Sequence, residues 1–301
     1  MTCPPRILVL PPRLTASART LRATALRRGL RIVEATASAV PEGLGSPGWA
    51  GWPEGAGPGG SPGDTRGAGS AESTGCTGST GCTGSDGCTG SDGHAVHLHA
   101  GPSFADVVAP ALGIALLEAP ADWLARLPRA LTQRDIRAMT IGEAYRLRRP
   151  AFVKSPNDKS ISALVYADGS RLPGPDAVDP ATVVLVSDVM TFSVEYRLHL
   201  LDGAVHAAGQ YAEAGRLRLG PPDGDALAFG RDVLAAAGET LPSAIVVDVG
   251  RDDEGRWAVI EANAAWASGC YSADPDRALE TVLRAAGPAT ALSPRDRAFV
   301  R

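Results

Sequence analysis

The N-terminal part of the chain alternates short apolar runs with amphipathic stretches. An apolar run over residues 6–11 predicts a strand, residues 15–28 have the spacing of an amphipathic helix, and residues 30–35 predict a second strand. Strand, helix and strand at this spacing indicate a parallel βαβ unit. Two further strand patterns, over residues 95–99 and 114–118, are each followed by a helix pattern.

Beyond residue 150 the pattern changes to strands that carry polar groups at their ends or along one face. Residues 192–201 alternate strictly, so that Tyr196 and Leu198 face one way while Glu195 and Arg197 face the other. The next apolar run predicts a hairpin partner for this strand. The other predicted strands cover residues 151–153, 161–166 and 183–186, the predicted helices cover 226–237 and 275–287, and an amphipathic helical stretch at 134–149 would bridge into this region.

One hairpin near the C-terminal end places polar groups inside apolar runs. Residues 245–250 and 257–263 are two runs of strand length joined by a polar turn. Symmetric closure about that turn would set Asp248 opposite Glu261, with Asn263 on the same face as Glu261. Paired Cβ atoms lie about 5 Å apart, so the two carboxylates would repel without a cation between them. Oxygen ligands on a rigid sheet favour Mg²⁺; the alternative is an exposed face with scattered acids.

Three cations precede this hairpin in the chain, namely Lys154, Lys159 and Arg197. Each lies at the end of a predicted strand or on its polar face. Cations beside a pair of acids that could bind Mg²⁺ suit a triphosphate, because its negative charge has to be balanced on several sides. Taken singly, each could equally be a solvated surface charge, and Arg197 could simply pair with Glu195 or Asp188. Neither the glycine-rich P-loop motif nor the dinucleotide-binding glycine motif is present in the sequence.

In their order along the chain, these motifs resemble those of the ATP-grasp superfamily, and most of all its subgroup marked by one arginine and two lysines. The resemblance implies an α+β fold in which two α+β subdomains clamp ATP, preceded by an N-terminal α/β domain. The expected limits are 1–130 for the N-terminal domain, 131–290 for the ATP-grasp domain and 291–301 for a C-terminal tail. The motifs that carry the resemblance are residues 152–159, 194–198, 247–248 and 259–263, followed by 265–271.

The resemblance also implies which residues bind the nucleotide and act on it. Lys154 and Lys159 would contact the ATP phosphates, with Lys159 on a flexible loop that closes over them. Arg197 would stabilise the transferring γ-phosphoryl group or the acyl-phosphate, so Arg197 and Lys159 are the predicted catalytic residues.

Metal and adenine sites follow from the same resemblance. Asp248, Glu261 and Asn263 would hold the Mg²⁺ ions that accompany ATP. The strand end at residues 185–189 would be the hinge between the two halves and would bind adenine through its backbone. The other nucleotide-binding residues expected are Val186, Ser187 and Asp188 at this hinge, and Glu195.

Composition narrows the class of protein further. The chain has 301 residues and a formal net charge of -4, which argues against a general binder of nucleic acids or anionic membranes. No apolar run reaches the roughly 18 residues that cross a bilayer, and no secretory signal pattern opens the chain, so a cytoplasmic location is expected.

Two features lie apart from these motifs. Residues 41–93 are rich in Gly, Pro, Ser, Thr and Cys, and we expect them to form a disordered insertion. Its repeated cysteines do not have the spacing of a zinc site. A metal site built from His97, His99 and Cys88 is an alternative, although exposed or core histidines are far more common.

The function that the resemblance implies is an ATP-dependent carboxylate–amine, or carboxylate–nucleophile, ligase. It would act through an acyl-phosphate, release ADP and phosphate, and take small-molecule or peptide carboxylates and amines as substrates. Two alternatives stay open: an ATP-binding module without turnover, and an enzyme that modifies a protein or nucleic-acid end. An arginine-rich strip at residues 126–149 keeps the nucleic-acid alternative open, although it is more simply the solvated surface of a helix.

Overall fold

The computed structural model describes residues 6–36, 94–157 and 160–301, and the structural statements below concern these residues. The predicted insertion at 41–93, its cysteines and Lys159 lie outside them.

Strands and helices follow the order β–α–β at the N-terminus and are mostly β beyond it. The strands are β1 (Ile7–Leu10), β2 (Arg31–Glu34), β3 (Val96–Leu98), β4 (Ile114–Leu116), β5 (Ile136–Thr140), β6 (Ala151–Lys154), β7 (Leu164–Tyr166), β8 (Val183–Ser187), β9 (Phe192–Leu201), β10 (Ala204–Glu213), β11 (Arg216–Gly220), β12 (Ala244–Asp252), β13 (Trp257–Asn263) and β14 (Ala286–Pro288). The helices are α1 (Ala16–Arg27), α2 (Pro102–Ala111), α3 (Trp123–Arg126), α4 (Arg129–Thr132), α5 (Ile141–Ala144), α6 (Gly224–Ala237) and α7 (Pro275–Ala285).

The N-terminal strands form a parallel sheet in the order β2-β1-β3. Helix α1 joins β1 to β2, which confirms the predicted βαβ unit. It begins where the Thr15 hydroxyl accepts a hydrogen bond from the amide of Ala18, and it is followed by Gly29 in the left-handed region, at φ 74°. Because α1 and α2 both start at the carboxyl ends of adjacent parallel strands, their N-termini lie at the same edge of the sheet.

The rest of the chain builds two antiparallel sheets. One has four strands in the order β5-β8-β6-β7, and the other has five in the order β11-β10-β9-β12-β13. Helix α6 covers one face of the five-stranded sheet, where Leu198 and Leu200 pack against Phe229 and Val233. The alternation predicted for residues 192–201 is therefore confirmed, and the opposite face of β9 is left to polar residues.

Trp266 joins the N-terminal sheet to the five-stranded sheet. Its side chain is fully buried and packs in one core with Val9, Leu98 and Val246. The indole N–H donates to the carbonyl oxygen of Leu117 at 3.0 Å, so the polar end of the ring is satisfied as well. This shared core holds the ends of β1 and β3 beside the end of β13.

Some predicted elements take a different form. The stretch 134–149, predicted as an amphipathic helix, is strand β5 followed by the single turn α5, because residues 136–140 pair with β8. The sequence predicts neither strand β14, which pairs with β4, nor strand β11. Such pairings join residues far apart in sequence, and local periodicity does not report them.

No helix in the described part of the chain is both long enough and apolar enough to cross a bilayer.

Gly209 on β10 pairs with Arg197 on β9, and the space around Gly209 is tightly packed. A Cβ at Gly209 would lie 2.6 Å from the backbone nitrogen of Ala273, which a methyl group cannot occupy without moving that segment. We expect Gly209→Ala to lower the free energy of unfolding by about 2 kcal/mol, as overpacking does. Urea unfolding followed by circular dichroism measures this.

The control is Gly224→Ala at the first residue of α6, where a Cβ would meet nothing within 4 Å. Alanine favours helix over glycine, so this variant should be as stable as the wild type or slightly more stable. Equal stability of the two variants would contradict the packing described for Gly209.

Candidate functional site

The pairing of β12 with β13 sets the positions of the polar side chains. Next to the turn Val249 pairs with Val259, whereas one step further on Asp248 pairs with Glu261, so that Ile260 is an extra residue. This β-bulge changes the register by one residue, and a shift of one residue reverses the face on which every following side chain lies. Without it Asp248 would pair with Ile260. The structure thus places Asp248 opposite Glu261 as predicted, but through a bulge and not through symmetric closure alone.

A buried arginine holds the bulge. Nη1 of Arg134 donates to the carbonyl oxygen of Val259 at 2.9 Å, and Nη2 donates to that of Ile260 at 3.3 Å. Burial lowers the pKa of Arg134 to about 10, which leaves it protonated at neutral pH. The sequence predicts that Arg134 lies in a solvated basic strip, and this prediction is wrong for this residue. No local pattern marks it, since the two carbonyl groups of the bulge lie over a hundred residues away in the chain.

Arg197 and Asp248 form a buried bidentate ion pair in the middle of the sheet. Nε and Nη2 of Arg197 donate to the two carboxylate oxygens of Asp248 at 2.8 and 2.7 Å. The rings of Tyr271 and Tyr211 lie 4.8 and 5.6 Å from the guanidinium carbon. Burial acts to lower the pKa of Arg197, but Asp248 outweighs it and raises this pKa above the usual value. The guanidinium is therefore fixed in place and permanently charged.

Lys154 and Glu261 connect the two antiparallel sheets. Lys154 ends β6 in the four-stranded sheet, and its ammonium group bonds to the carboxylate of Glu261 on β13. Asn263 lies between the acids, where Nδ2 donates to Glu261 at 2.7 Å and to Asp248 at 3.1 Å. Burial acts to raise the pKa of Glu261, but Lys154, Asn263 and Arg197 together lower it below its usual value. Glu261 is therefore a carboxylate.

Arg197, Asp248 and Glu261 lie in one row across three adjacent strands, since Asp248 pairs with both of the others. Glu261 and Asn263 supply carboxylate and amide oxygens, which suit Mg²⁺ when phosphate and water complete the coordination. Among the described residues no group of three or more His, Cys, Asp or Glu side chains could hold a metal ion. Glu261 and Asn263 alone are too few donors to hold a metal ion, so other ligands would have to complete its coordination. Asp248 differs, because Arg197 already engages both of its oxygens.

The predicted hinge residues lie at a second opening. Val186, Ser187 and Asp188, at the end of β8, line a cavity of about 380 Å³ together with Ile136 of β5 and Arg149. On the same sheet Leu185 pairs with Lys154, so the hinge strand runs directly beside the strand that carries this lysine.

At this opening the backbone of Asp188 is tied to β5. Its amide donates to the carbonyl oxygen of Asp135 at 3.1 Å, and its carboxylate accepts from the amide of Asp135 at 3.2 Å. The three hinge residues thus come together at an edge separate from the acid row, and their role toward adenine stays a prediction.

Glu195 shares the polar face of β9 with Arg197, as predicted. Its carboxylate accepts a hydrogen bond from the hydroxyl of Tyr211 at 2.6 Å. Burial, helped by the nearby charges of Asp248 and Glu261, raises the pKa of Glu195 although the Tyr211 bond opposes this. Glu195 therefore supports Tyr211, which in turn packs against Arg197.

A cleft joins the acid row to the N-terminal sheet. It has a volume of about 690 Å³ and is lined on one side by Lys154, Glu261 and Asn263, and on the other by Arg13 and His99. A cleft of this size suits a small-molecule ligand.

The metal site considered as an alternative would use His97 and His99, on β3 and directly after it, together with Cys88. Nδ1 of His97 lies 2.8 Å from the carbonyl oxygen of Leu283, and Nδ1 of His99 lies 2.7 Å from that of Trp266. Both rings are thus tied to backbone carbonyls, while Cys88 lies outside the described residues.

An α+β core in which two antiparallel sheets meet at a lysine, an arginine and paired acids is the arrangement of an ATP-grasp domain. A sequence profile matches residues 131–281; it describes the ATP-grasp domain of family 2 in the clade named for one arginine and two lysines, and the chain belongs to this family. The resemblance and the α+β fold class predicted from the motifs are confirmed.

Solved structures similar to this chain are also ATP-grasp proteins. The ligase PsnB complexed with precursor peptide PsnA2 and AMPPNP is 13% identical, with a TM-score of 0.46, over 95% of this chain and 98% of that one. D-cycloserine synthetase DcsG is 14% identical, with a TM-score of 0.48, over 91% and 98%. A RimK domain protein from Sphaerobacter thermophilus is 13% identical, with a TM-score of 0.45, over 92% and 99%. No curated protein sequence matches.

Arg134→Met should loosen the bulge, because the carbonyl groups of Val259 and Ile260 lose their buried donor. We expect the free energy of unfolding to fall by about 3 kcal/mol, measured by urea denaturation. Stabilisation of the folded protein by Mg²⁺ and AMPPNP should weaken at the same time. Arg126→Met is the matched control, since Arg126 is exposed and pairs only with Asp122. A variant Arg134→Met that bound the nucleotide as the wild type does would show that the bulge does not depend on this residue.

His199 predicts a pH dependence of stability. It is fully buried on β9, and neither ring nitrogen has a hydrogen-bond partner among the described residues. Burial, with the charge of Arg197, lowers its pKa from 6.5 to about 3. Protonation therefore favours the unfolded chain: the contribution is complete above about pH 6.5 and is lost as the pH falls toward 3.

In His199→Leu this loss should be absent. Between about pH 7 and pH 4.5 the wild type should lose roughly 2 to 3 kcal/mol more of its free energy of unfolding than the variant, because pH 4.5 lies about two units below the unfolded pKa of histidine. Urea unfolding at several pH values measures the difference, in which all other titrating groups cancel. Parallel curves for the two proteins would refute the assignment.

Proposed function

We propose that this protein is an ATP-dependent carboxylate–amine ligase that acts through an acyl-phosphate and releases ADP and phosphate. The observation that supports this most is the row of Arg197, Asp248 and Glu261, joined by Lys154 from the second sheet. Such a row brings together the cations and oxygen ligands that phosphoryl transfer requires, and Lys154 and Glu261 also line the cleft.

In the first step an oxygen of the substrate carboxylate would form a bond to the γ-phosphorus, and the bond from that phosphorus to ADP would break. An amine would then attack the carbonyl carbon, and phosphate would leave with the electron pair of the C–O bond while the amine loses a proton to water. Most of the rate enhancement would come from positioning and charge balance. When bound, Mg²⁺ would balance charge on the phosphate oxygens, held by Glu261 and Asn263.

Lys154 would change partners when the nucleotide binds. In the structure its ammonium bonds to Glu261, which it keeps ionised in a buried place. A metal ion at Glu261 would take over that neutralisation, so the lysine would be released to contact a phosphate. Lys159, the second predicted lysine, would act from the loop that follows.

Arg197 would face the transferring phosphoryl group. Its fork is already held by Asp248, and Nη1 contacts the carbonyl oxygen of Gly269 at 3.3 Å. A charge that is fixed before the reaction costs no reorganisation during it. Asp248 would then have two roles, since it would position Arg197 and would also lie next to the metal ion.

The basic strip gives little support to an enzyme that acts on nucleic-acid ends. Arg126 pairs with Asp122, Arg129 pairs with Asp135, and Arg134 is buried. These contacts pair or bury three of the seven arginines of the strip, which reduces the positive charge that it offers to phosphates. An ATP-binding module without turnover remains the alternative that an assay has to separate.

Replacing Lys154 by Met or Glu261 by Gln should reduce ADP release at least about 100-fold, since each removes a charge that the phosphoryl group requires. The assay is ADP release with Mg²⁺-ATP, a panel of small carboxylates, and hydroxylamine, which traps acyl-phosphates as hydroxamates. Glu254→Gln is the matched control, because Glu254 lies on the turn of the same hairpin and, among the described residues, its ion pair is with Arg256.

Full activity in both site variants would exclude the proposed roles. A wild-type protein that binds AMPPNP but forms neither ADP nor hydroxamate with any carboxylate of the panel would be an ATP-binding module.

A further inference from the structure

His99, directly after β3, presents a nitrogen lone pair to the large cleft. Its Nδ1 lies 2.7 Å from the carbonyl oxygen of Trp266, and a carbonyl oxygen can only accept, so Nδ1 carries the hydrogen. The side chain is 5% exposed, and burial lowers its pKa to about 4, so the ring is neutral at pH 7. In a neutral ring with hydrogen on Nδ1, Nε2 is an acceptor.

This Nε2 atom has no hydrogen-bond partner among the described residues, yet it can be reached. Nε2 of His97 and both ring nitrogens of His199 also lack a partner, and these atoms are sealed from solvent. Nε2 of His99 is not among the sealed atoms. The ring of His99 lines the cleft of about 690 Å³. A buried acceptor that opens only on a cleft is satisfied when a ligand in that cleft donates to it.

The charges around the cleft do not cancel. Its charged lining residues are Arg13, Lys154 and Glu261, and the last two pair with each other. Within the described part of the chain, Arg13 makes no ion pair. Helix α2 begins at the same cleft, with Gly101 and Pro102, and no side chain caps the first turn of this helix. An uncompensated guanidinium and the N-terminal end of a helix both favour an anion.

We propose that the cleft binds the amine substrate of the ligase as an amino acid, a primary amine that carries a carboxylate. Nε2 of His99 accepts a hydrogen bond from the amine, and Arg13 with the first turn of α2 receives the carboxylate. The later reaction of the amine rests on the proposed function, whereas the binding of the amino acid does not. Lys154 and Glu261 line the same cleft, so the bound amine lies on the side where the acyl-phosphate would form.

Isothermal titration calorimetry with the standard amino acids, in the presence of Mg²⁺ and AMPPNP, tests the binding. For each amino acid the panel includes the amine without the carboxylate and the acid without the amine, for example alanine, ethylamine and propionate. We expect at least one amino acid to bind, and to bind at least about 10-fold more tightly than either of its truncated relatives, the loss that one charge-assisted hydrogen bond accounts for.

His99→Asn keeps a donor toward Trp266 but removes the acceptor at the position of Nε2, so it should weaken amino-acid binding at least about 10-fold. His99→Gln places an oxygen near the position of Nε2 and should restore most of the affinity. His97→Asn is the matched control, since His97 lies on the same strand with its Nε2 sealed, and it should bind as the wild type does. Arg13→Gln, at an exposed position, should weaken binding of the amino acid but not of the amine lacking a carboxylate.

The proposal is overturned when no amino acid of the panel binds the wild type, or when His99→Asn binds as the wild type does. If His99→Asn does not fold, Arg13→Gln decides, and unchanged affinity there overturns the proposal. Hydroxamate formation by the wild type is measured separately. Amino-acid binding without hydroxamate formation would contradict the ligase function and leave this binding site supported. Hydroxamate formation without amino-acid binding would support the ligase function and overturn this binding site.

Discussion

The β-bulge at Ile260 is the constraint on which the candidate site depends. It shifts the register of β13 by one residue, and this shift turns Glu261 and Asn263 to the face that carries Asp248 and Arg197. A bulge leaves backbone groups without ladder partners, and the buried guanidinium of Arg134 supplies donors for two of its carbonyl groups. A residue outside the hairpin therefore decides what the hairpin presents.

Charge balance offsets part of the cost of burying two acids in one row: burial raises the pKa of Asp248, and the guanidinium of Arg197 acts to lower it. Asp248 is held by the fork of Arg197, and Glu261 by the ammonium of Lys154, so each carboxylate has a matched cation. On the proposed function both cations would also serve a triphosphate, so nucleotide binding would exchange partners within an existing set of charges. Since Lys154 comes from the four-stranded sheet, this exchange would connect the relative position of the two sheets to the occupancy of the site.

The N-terminal sheet completes the cleft because Trp266 fixes it against the five-stranded sheet. The indole packs among Val9, Leu98 and Val246, while the backbone carbonyl oxygen of Trp266 sets the tautomer of His99. One residue thus takes part in holding the two parts of the chain together and in orienting an acceptor toward the acid row. Both α1 and α2 begin at this edge, as expected where strands of a parallel sheet end.

Local periodicity is enough to predict the elements with a strong pattern and the polar residues that interrupt them. The alternation of β9, the first helix and the hairpin that carries Asp248 and Glu261 all follow from residues close in the chain. Residues 134–149 depend instead on tertiary contacts, because residues 136–140 pair with β8 although the spacing of the stretch suits a helix. The tertiary structure also decided that Arg134 is buried against the bulge, since its partners there are carbonyl groups of a distant strand, and periodicity carries no information about such contacts.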